Sequence, residues 1–151
     1  VKHLIRPLPL ASAFVVLGAA VGLVIDDHVA WWVIAVGVIG PDMTFLAAIG
    51  APAPQPGIMP ARVVRPYNLL HHPAGPIAAT AFSALLGDPT AIALSLTWAS
   101  HILWDRGLGY GLRAPDGSII LKASRGDRQR TRIDDRALST PLIVTPAERR
   151  R

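Results

Sequence analysis

Four apolar segments, each close to the length that crosses a bilayer, follow one another with only short polar breaks between them. They cover about residues 8–25 (LPLASAFVVLGAAVGLVI), 29–51 (VAWWVIAVGVIGPDMTFLAAIGA), 67–86 (YNLLHHPAGPIAATAFSALL) and 90–108, which opens TAIALSLTWASHILWD. A helix rises about 1.5 Å per residue, so roughly 20 residues span the hydrocarbon core. One such segment is compatible with the core of a soluble protein. Four in series predict an all-α fold, a four-helix transmembrane bundle.

The charges give that bundle a direction. Lys2 and Arg6 precede the first segment, and Asp26-Asp27-His28 joins the first two. Arg62 and Arg65 lie in the loop before the third, Gly87-Asp88-Pro89 joins the last two, and Arg106, Arg113 and a basic tail follow the fourth. Basic flanks alternate with acidic turns. By the positive-inside rule both termini are cytoplasmic, which implies a multi-pass protein of the cell inner (plasma) membrane. Lys2 and Arg6 before an apolar run mimic a signal peptide, but Pro7 and Pro9 open the run and further apolar segments follow, so it reads as a retained helix. The inner loop, 52–66, holds five prolines and reads as an irregular connector.

The chain divides into a membrane domain, 1–117, and a tail, 118–151. From Lys122 onward there are nine basic residues against four acidic, so much of the net charge of +5 sits in the tail. That composition predicts a disordered, solvated segment able to associate with anionic lipid headgroups; it does not call for nucleic acid. The lipid bilayer is the partner implied, and homo-oligomers are compatible with it. There is no cysteine, which excludes disulfides and thiolate metal sites.

Ionisable groups inside apolar segments carry the functional signal. Each costs roughly 2.5–3.5 kcal/mol at mid-bilayer, so they face the protein interior and tend to serve a purpose there. Counted from the outer turns, Asp42 lies 13 residues after Val29, His71 lies 15 before Leu86, and His101 and Asp105 lie 11 and 15 after Thr90. Three segments thus bring polar side chains to one depth in the inner half of the membrane. His101 and Asp105, at i and i+4, share a helix face. Asp42 follows Gly40-Pro41, where a helix breaks, and there it can cap the half-helix that resumes at Met43 or serve as a ligand. His71 and His72 precede Pro73, so the third helix is expected to start near Pro66 or Tyr67 and kink at Pro73 and Pro76. Asn68 falls near the His71 face. His72, His28 and His3 read as interfacial.

Asp42, His71, His101 and Asp105 form a ligand set suited to a divalent metal, Zn, Mn or Fe. Coordination requires their side chains within about 8 Å of one another. The matching chemistry is metal-activated water attacking an ester, amide or phosphoester, with His101, Asp105 and Arg106 catalytic and Asn68 and Tyr110 binding substrate. Without a metal, His101 held by Asp105 suits a general base or a proton relay. A proton, ion or small-solute transport module and a purely structural bundle are the alternatives from other classes.

The stretches WWVIAVGVIGPDMTFLAAIG, YNLLHHPAGP and WASHILWDRGLGYGLRAPDG resemble a bacterial integral membrane family known as domain of unknown function 4260. The resemblance covers roughly residues 4–117. It implies a four-helix membrane protein and singles out Asp42, Tyr67, Asn68, His71, His101, Asp105, Arg106 and Tyr110 as motif positions; it implies no activity. Two departures stand out. Where members carry a glutamate early in the first helix this chain reads PLPLASAF, with only Ser12 available. Where they follow the last glycine with a Lys-Asp-Thr-His-like run it reads SIILKASRG.

Overall fold

The computed structural model describes residues 5–52 and 55–120. The tail assigned above to disorder and lipid contact lies, from residue 121 onward, outside the described residues. The described residues are helical, with one isolated antiparallel bridge between Arg113 and Ile119. The α-helices are α1 (Pro7–Asp26), α2 (Trp32–Ile39), α3 (Ala61–Leu70), α4 (Ala74–Leu86) and α5 (Pro89–Gly107), and a 3-10 segment, Gly40–Ala48, continues α2.

The helix ends follow from local chemistry. Pro7 opens α1 at a position whose N–H needs no partner, and Pro89 does the same for α5. Asp88 caps α5: its Oδ1 accepts from the N–H groups of Thr90 (2.9 Å) and Ala91 (3.1 Å). Gly87 ends α4 in the left-handed conformation, φ 65°, which makes the α4–α5 connection a tight hairpin.

The second segment changes from α to 3-10 geometry at Gly40-Pro41, where a break was expected. Other expectations are corrected by the structure. The third segment is two helices, broken at His71-His72-Pro73, because a proline disfavours helical geometry in the residue before it. Pro76 produces no second kink; it sits in the first turn of α4, where a missing N–H costs nothing. The inner loop is not irregular throughout, since α3 begins at Ala61 and buries Val63, Val64 and Tyr67 against Met59. One helix among the described residues, α1, is long and apolar enough to cross a membrane. α4 has 13 residues, about 20 Å of rise. α5 has 19 residues but carries His101, Asp105 and Arg106 near its end.

α5 is the element on which the others pack. α1 lies antiparallel along it, as Arg6 N–H donates to the Gly107 carbonyl (2.8 Å) while Ser100 Oγ donates to the Ala13 carbonyl (3.0 Å). Ala13 and Ala20 are fully buried there, and small residues permit this close approach. α2 runs parallel to α5: Val29 and Val33 pack against Ala93, and a Cβ at Gly37 would come within 2.6 Å of Thr97. α4 returns antiparallel, with Thr80 Oγ1 donating to Ser95 Oγ (2.9 Å) and Gly75 leaving room for the Trp98 indole.

Beyond α5 the chain forms a turn that closes against the start of α3. Ala114 N–H donates to Ser118 O (2.8 Å), Ile120 N–H to Leu112 O (2.9 Å) and Met59 N–H to Gly117 O (3.0 Å). This turn includes residues up to Ile120, the last of the described residues. Asp116 accepts from the Ser118 hydroxyl (2.7 Å) and the Ser118 N–H (2.9 Å), which hold its carboxyl below the ordinary carboxylate value.

Gly117 has φ 84°, and a Cβ there would lie 2.0 Å from the Met59 carbonyl oxygen. Gly117→Ala is expected to cost about 2 kcal/mol or more, from left-handed strain and overpacking together. Thermal unfolding of the purified protein checks this, with Gly18→Ala as a neutral control because nothing lies within 4 Å of a Cβ at that position.

A candidate metal centre of histidines and aspartates

The 3-10 segment, the end of α3 and the last turns of α5 bring four ligand-type side chains to one point. His71 Nε2 lies 3.4 Å from Asp42 Oδ1, 3.5 Å from Asp105 Oδ2 and 3.2 Å from His101 Nε2. His101 Nε2 lies 3.7 Å from Asp42 Oδ1 and 4.0 Å from Asp105 Oδ2. These separations are well inside the 8 Å that coordination demands. The side chains of His71 and His101 are buried at 1% and 9% exposure, Asp105 is at 19%, and Asp42 is half exposed at 47%.

The orientation of His71 is set by its own backbone. Its Nδ1 lies 2.9 Å from the Tyr67 carbonyl, and a carbonyl only accepts, so Nδ1 carries the hydrogen. A neutral ring then presents the bare lone pair of Nε2 to the cluster, the state in which a histidine binds a metal. The Tyr67 ring stacks on the imidazole, with centroids 3.8 Å apart and planes at 17°, and Tyr67 OH donates to Asp105 Oδ2 at 3.4 Å. Tyr67 therefore touches two of the four ligand residues.

Two imidazoles and two carboxylates this close repel unless positive charge lies among them. A proton can supply it, and so can a metal ion. A tetrahedral ion with bonds of about 2.0–2.1 Å holds neighbouring ligands about 3.3–3.4 Å apart. The Asp42–His71–His101 triangle has edges of 3.2, 3.4 and 3.7 Å, close to that figure. Asp105 stands slightly further from the two rings. The contacts of Asp42 are to the imidazoles and not to backbone N–H groups, so it does not cap the segment that follows it.

The remaining expected site residues surround the cluster without joining it. Arg106 donates to the His71 carbonyl (3.0 Å) and the Tyr110 carbonyl (3.2 Å), closing the open end of α3. Tyr110 is partly exposed at the exit from α5. Asn68 is taken up elsewhere: its Nδ2 donates to the Arg113 carbonyl (2.7 Å) and its Oδ1 accepts from the Arg113 N–H (2.8 Å). His72 is exposed and accepts from the Ala74 N–H (3.2 Å).

Two residues enter that sequence reasoning passed over. The Arg113 guanidinium lies 5.8 Å from the centre of the Tyr67 ring and donates to the carbonyls of Gly57 (3.1 Å) and Gly117 (3.4 Å). No local pattern links Asn68 to Arg113, 45 residues on. Trp98 donates its indole N–H to the Leu70 carbonyl (2.7 Å), and here a signal did exist: it stands one turn before His101 on the same face of α5.

The described residues define an all-helical fold with an Asp/His cluster whose spacing could hold a metal ion. The chain belongs to the family described as domain of unknown function (DUF4260), whose model matches residues 9–119. It matches no curated protein and no solved structure.

Removing the Asn68 carboxamide leaves a backbone N–H and C=O of Arg113 without partners. Asn68→Ala is expected to destabilise the fold by about 1–3 kcal/mol, measured by denaturant unfolding. Bound metal, assayed in the folded protein, is expected to stay unchanged, because Asn68 touches none of the four ligand side chains.

Proposed function

We propose that this is a multi-pass protein of the cell inner membrane whose Asp42, His71 and His101 hold one divalent cation, Zn, Mn or Fe, for hydrolytic chemistry on an ester or phosphoester. The carrying observation is the Asp42–His71–His101 triangle, whose edges match a tetrahedral ligand face. Three protein ligands leave a fourth position for water, the pattern of catalytic rather than structural sites. A cation there would lower the pKa of that water. Asp105, beside both imidazoles and anchored by Tyr67, is placed to accept the proton the water gives up. Arg106, whose guanidinium lies at the His71 carbonyl beside the cluster, is the cation nearest to hand for an anionic group.

The membrane reading is supported by where apolar side chains point. Only about a tenth of the apolar span of α1 is buried within the protein. Phe14 and Val15 on α1, Trp31 and Trp32 at the start of α2, and Ile77, Phe82 and Leu85 on α4 are all exposed. Apolar surface this extensive is costly in water and ordinary in lipid. Inside a bilayer, backbone groups freed by helix breaks must be satisfied internally. The breaks in this chain comply: Trp98 serves Leu70 O, Arg106 serves His71 O, and Thr44 Oγ1 donates to Pro41 O at 3.1 Å.

Elemental analysis of the purified full chain tests the centre. About one metal per chain is expected in the wild type, with loss on His71→Ala, His101→Ala or Asp42→Asn, and retention in Gly18→Ala. Absence of metal under loading conditions would remove the proposal. The 3.2 Å contact between the two Nε2 atoms favours a second reading, a shared proton, and pH-dependent proton flux into liposomes without bound metal would select it.

The chain has no cysteine, so single cysteines report topology cleanly. Asp27→Cys and Asp88→Cys are expected to react with an impermeant maleimide in intact cells, and Ser118→Cys only after permeabilisation. The reverse pattern would overturn the orientation, and failure of all three to react until the cells are permeabilised would overturn the membrane embedding.

A further inference from the structure

Next to the cluster is a recess of about 160 Å³ that opens on the surface and has almost no polar lining. Val36, Gly40, Pro41, Leu70, Leu94 and Trp98 wall it. Pro41 and Leu70 immediately precede Asp42 and His71, so two of its walls are the chain neighbours of two cluster residues. On α5, Leu94, Trp98, His101 and Asp105 follow at spacings of four, three and four residues, which places them along one face. That face is apolar over the recess and polar over the cluster. Going from Leu94 to Asp105 along α5 passes from hydrocarbon-like lining to ligand-type side chains in about 16 Å.

The walls are held in place. Trp98 is tied by its indole N–H to Leu70 O, and its ring occupies the space that Gly75 leaves open. Gly37 and Thr97 are in close contact, which fixes α2 against α5 beneath the recess. An apolar space of about this size accommodates a benzene-sized group.

The polar end has its own charge pattern. Among the described residues, Arg106 and Arg113 form no ion pair with a carboxylate; both guanidiniums donate to backbone carbonyls only. Arg113 Nε is buried with no hydrogen-bond partner. Two cations without a direct carboxylate partner among the described residues therefore stand on the His71 and Tyr67 side of the cluster, next to a site read as holding a divalent cation between its two carboxylates.

We propose that the substrate is an amphiphile with a phosphate-type headgroup, its hydrocarbon chain in the Val36–Leu94–Trp98 recess and its anionic head between the cluster and Arg106. This rests on the cation reading of the cluster. The order of apolar slot and polar site along α5 is the order in which a membrane amphiphile presents its chain and head. The occupant is a lipid of the surrounding leaflet and not a soluble phosphoester, because a free phosphate leaves the recess without a partner.

Photolabelling of the full chain in lipid nanodiscs tests it. The probe is dodecyl phosphate with a diazirine at the chain end; the comparison is the same chain on a trimethylammonium head. The phosphate probe is expected to form adducts on Val36, Leu94 or Trp98, and the cationic probe to do so at least tenfold less. Gly40→Leu fills the recess: its backbone, φ −53°, accepts a side chain, and nothing lies within 4 Å of a Cβ there. Displacing one methylene costs roughly fourfold in affinity, so labelling should fall at least fourfold while metal content stays unchanged. Leu94→Trp fills the recess from the other wall, should Gly40→Leu not fold.

Equal labelling by both probes overturns the proposal, as does labelling that both filling variants leave intact. Competition by inorganic phosphate as effective as that by unlabelled dodecyl phosphate overturns it too. Metal content in the same samples separates the two readings. Metal bound without recess adducts defeats the amphiphile and spares the centre; recess adducts from the phosphate probe without metal defeat the centre.

Discussion

The backbone break at His71-His72-Pro73 places an imidazole where three other ligand-type side chains already point. α3 ends at Leu70, and the ring of His71 turns back so that Nδ1–H donates to the carbonyl of Tyr67. One local hydrogen bond thus sets both the direction of the ring and the nitrogen that faces the cluster. The other features of the site take their positions from this. Tyr67 can stack on the ring because it lies one turn earlier, and Arg106 can close the helix end because His71 O is left without a helical partner.

The second constraint is α5, which serves two purposes with different faces. Toward α1 and α2 it packs closely, helped by Ala13, Ala20, Gly37 and Gly107 on the contact surfaces. Toward the 3-10 segment and α3 it carries the Leu94–Trp98–His101–Asp105 stripe. Close packing on the first face makes the second rigid enough for a site, since ligands held on well-packed helices keep their separations. The hydroxyls of Thr97 and Ser100, buried on the packed side, donate to the Ala93 and Ala13 carbonyls, so polar atoms there are spent on structure.

Much of the site was legible in the sequence, and the reason is periodicity. Asp42, His71, His101 and Asp105 could be brought to one level by counting from turns marked by Asp26-Asp27 and Gly87-Asp88, because helical rise is nearly constant. The Gly40-Pro41 and Pro73 breaks were legible from residue chemistry. What escaped was whatever depends on where the chain goes after a break. Five prolines in the inner loop pointed to irregular structure, yet four of them precede α3, at 52, 54, 56 and 60, and the sequence ARVVRPYNLL folds as an amphipathic helix because Val63, Val64 and Tyr67 fall on one side. Pro66 is tolerated inside α3. The Asn68–Arg113 clasp joins a helix to a turn 45 residues later, and no local pattern encodes such a partner.

The exposure of the four cluster residues is graded, from the sealed His71 to the half-open Asp42. A set of side chains that only satisfied one another would gain most by being sealed, because every hydrogen bond strengthens as water is excluded. Here His71 is sealed and His101 nearly so, while the carboxylate of Asp42 stays half open. The open side belongs to the 3-10 segment, and that same segment supplies Gly40 and Pro41 to the apolar recess. A helix continuing regularly through Gly40 would not turn the following residues as a tighter 3-10 coil does. The break between α2 and the 3-10 segment therefore sets up two neighbouring surfaces, one apolar and one ionisable. That pairing of surfaces is what recognition of a molecule with two unlike ends requires.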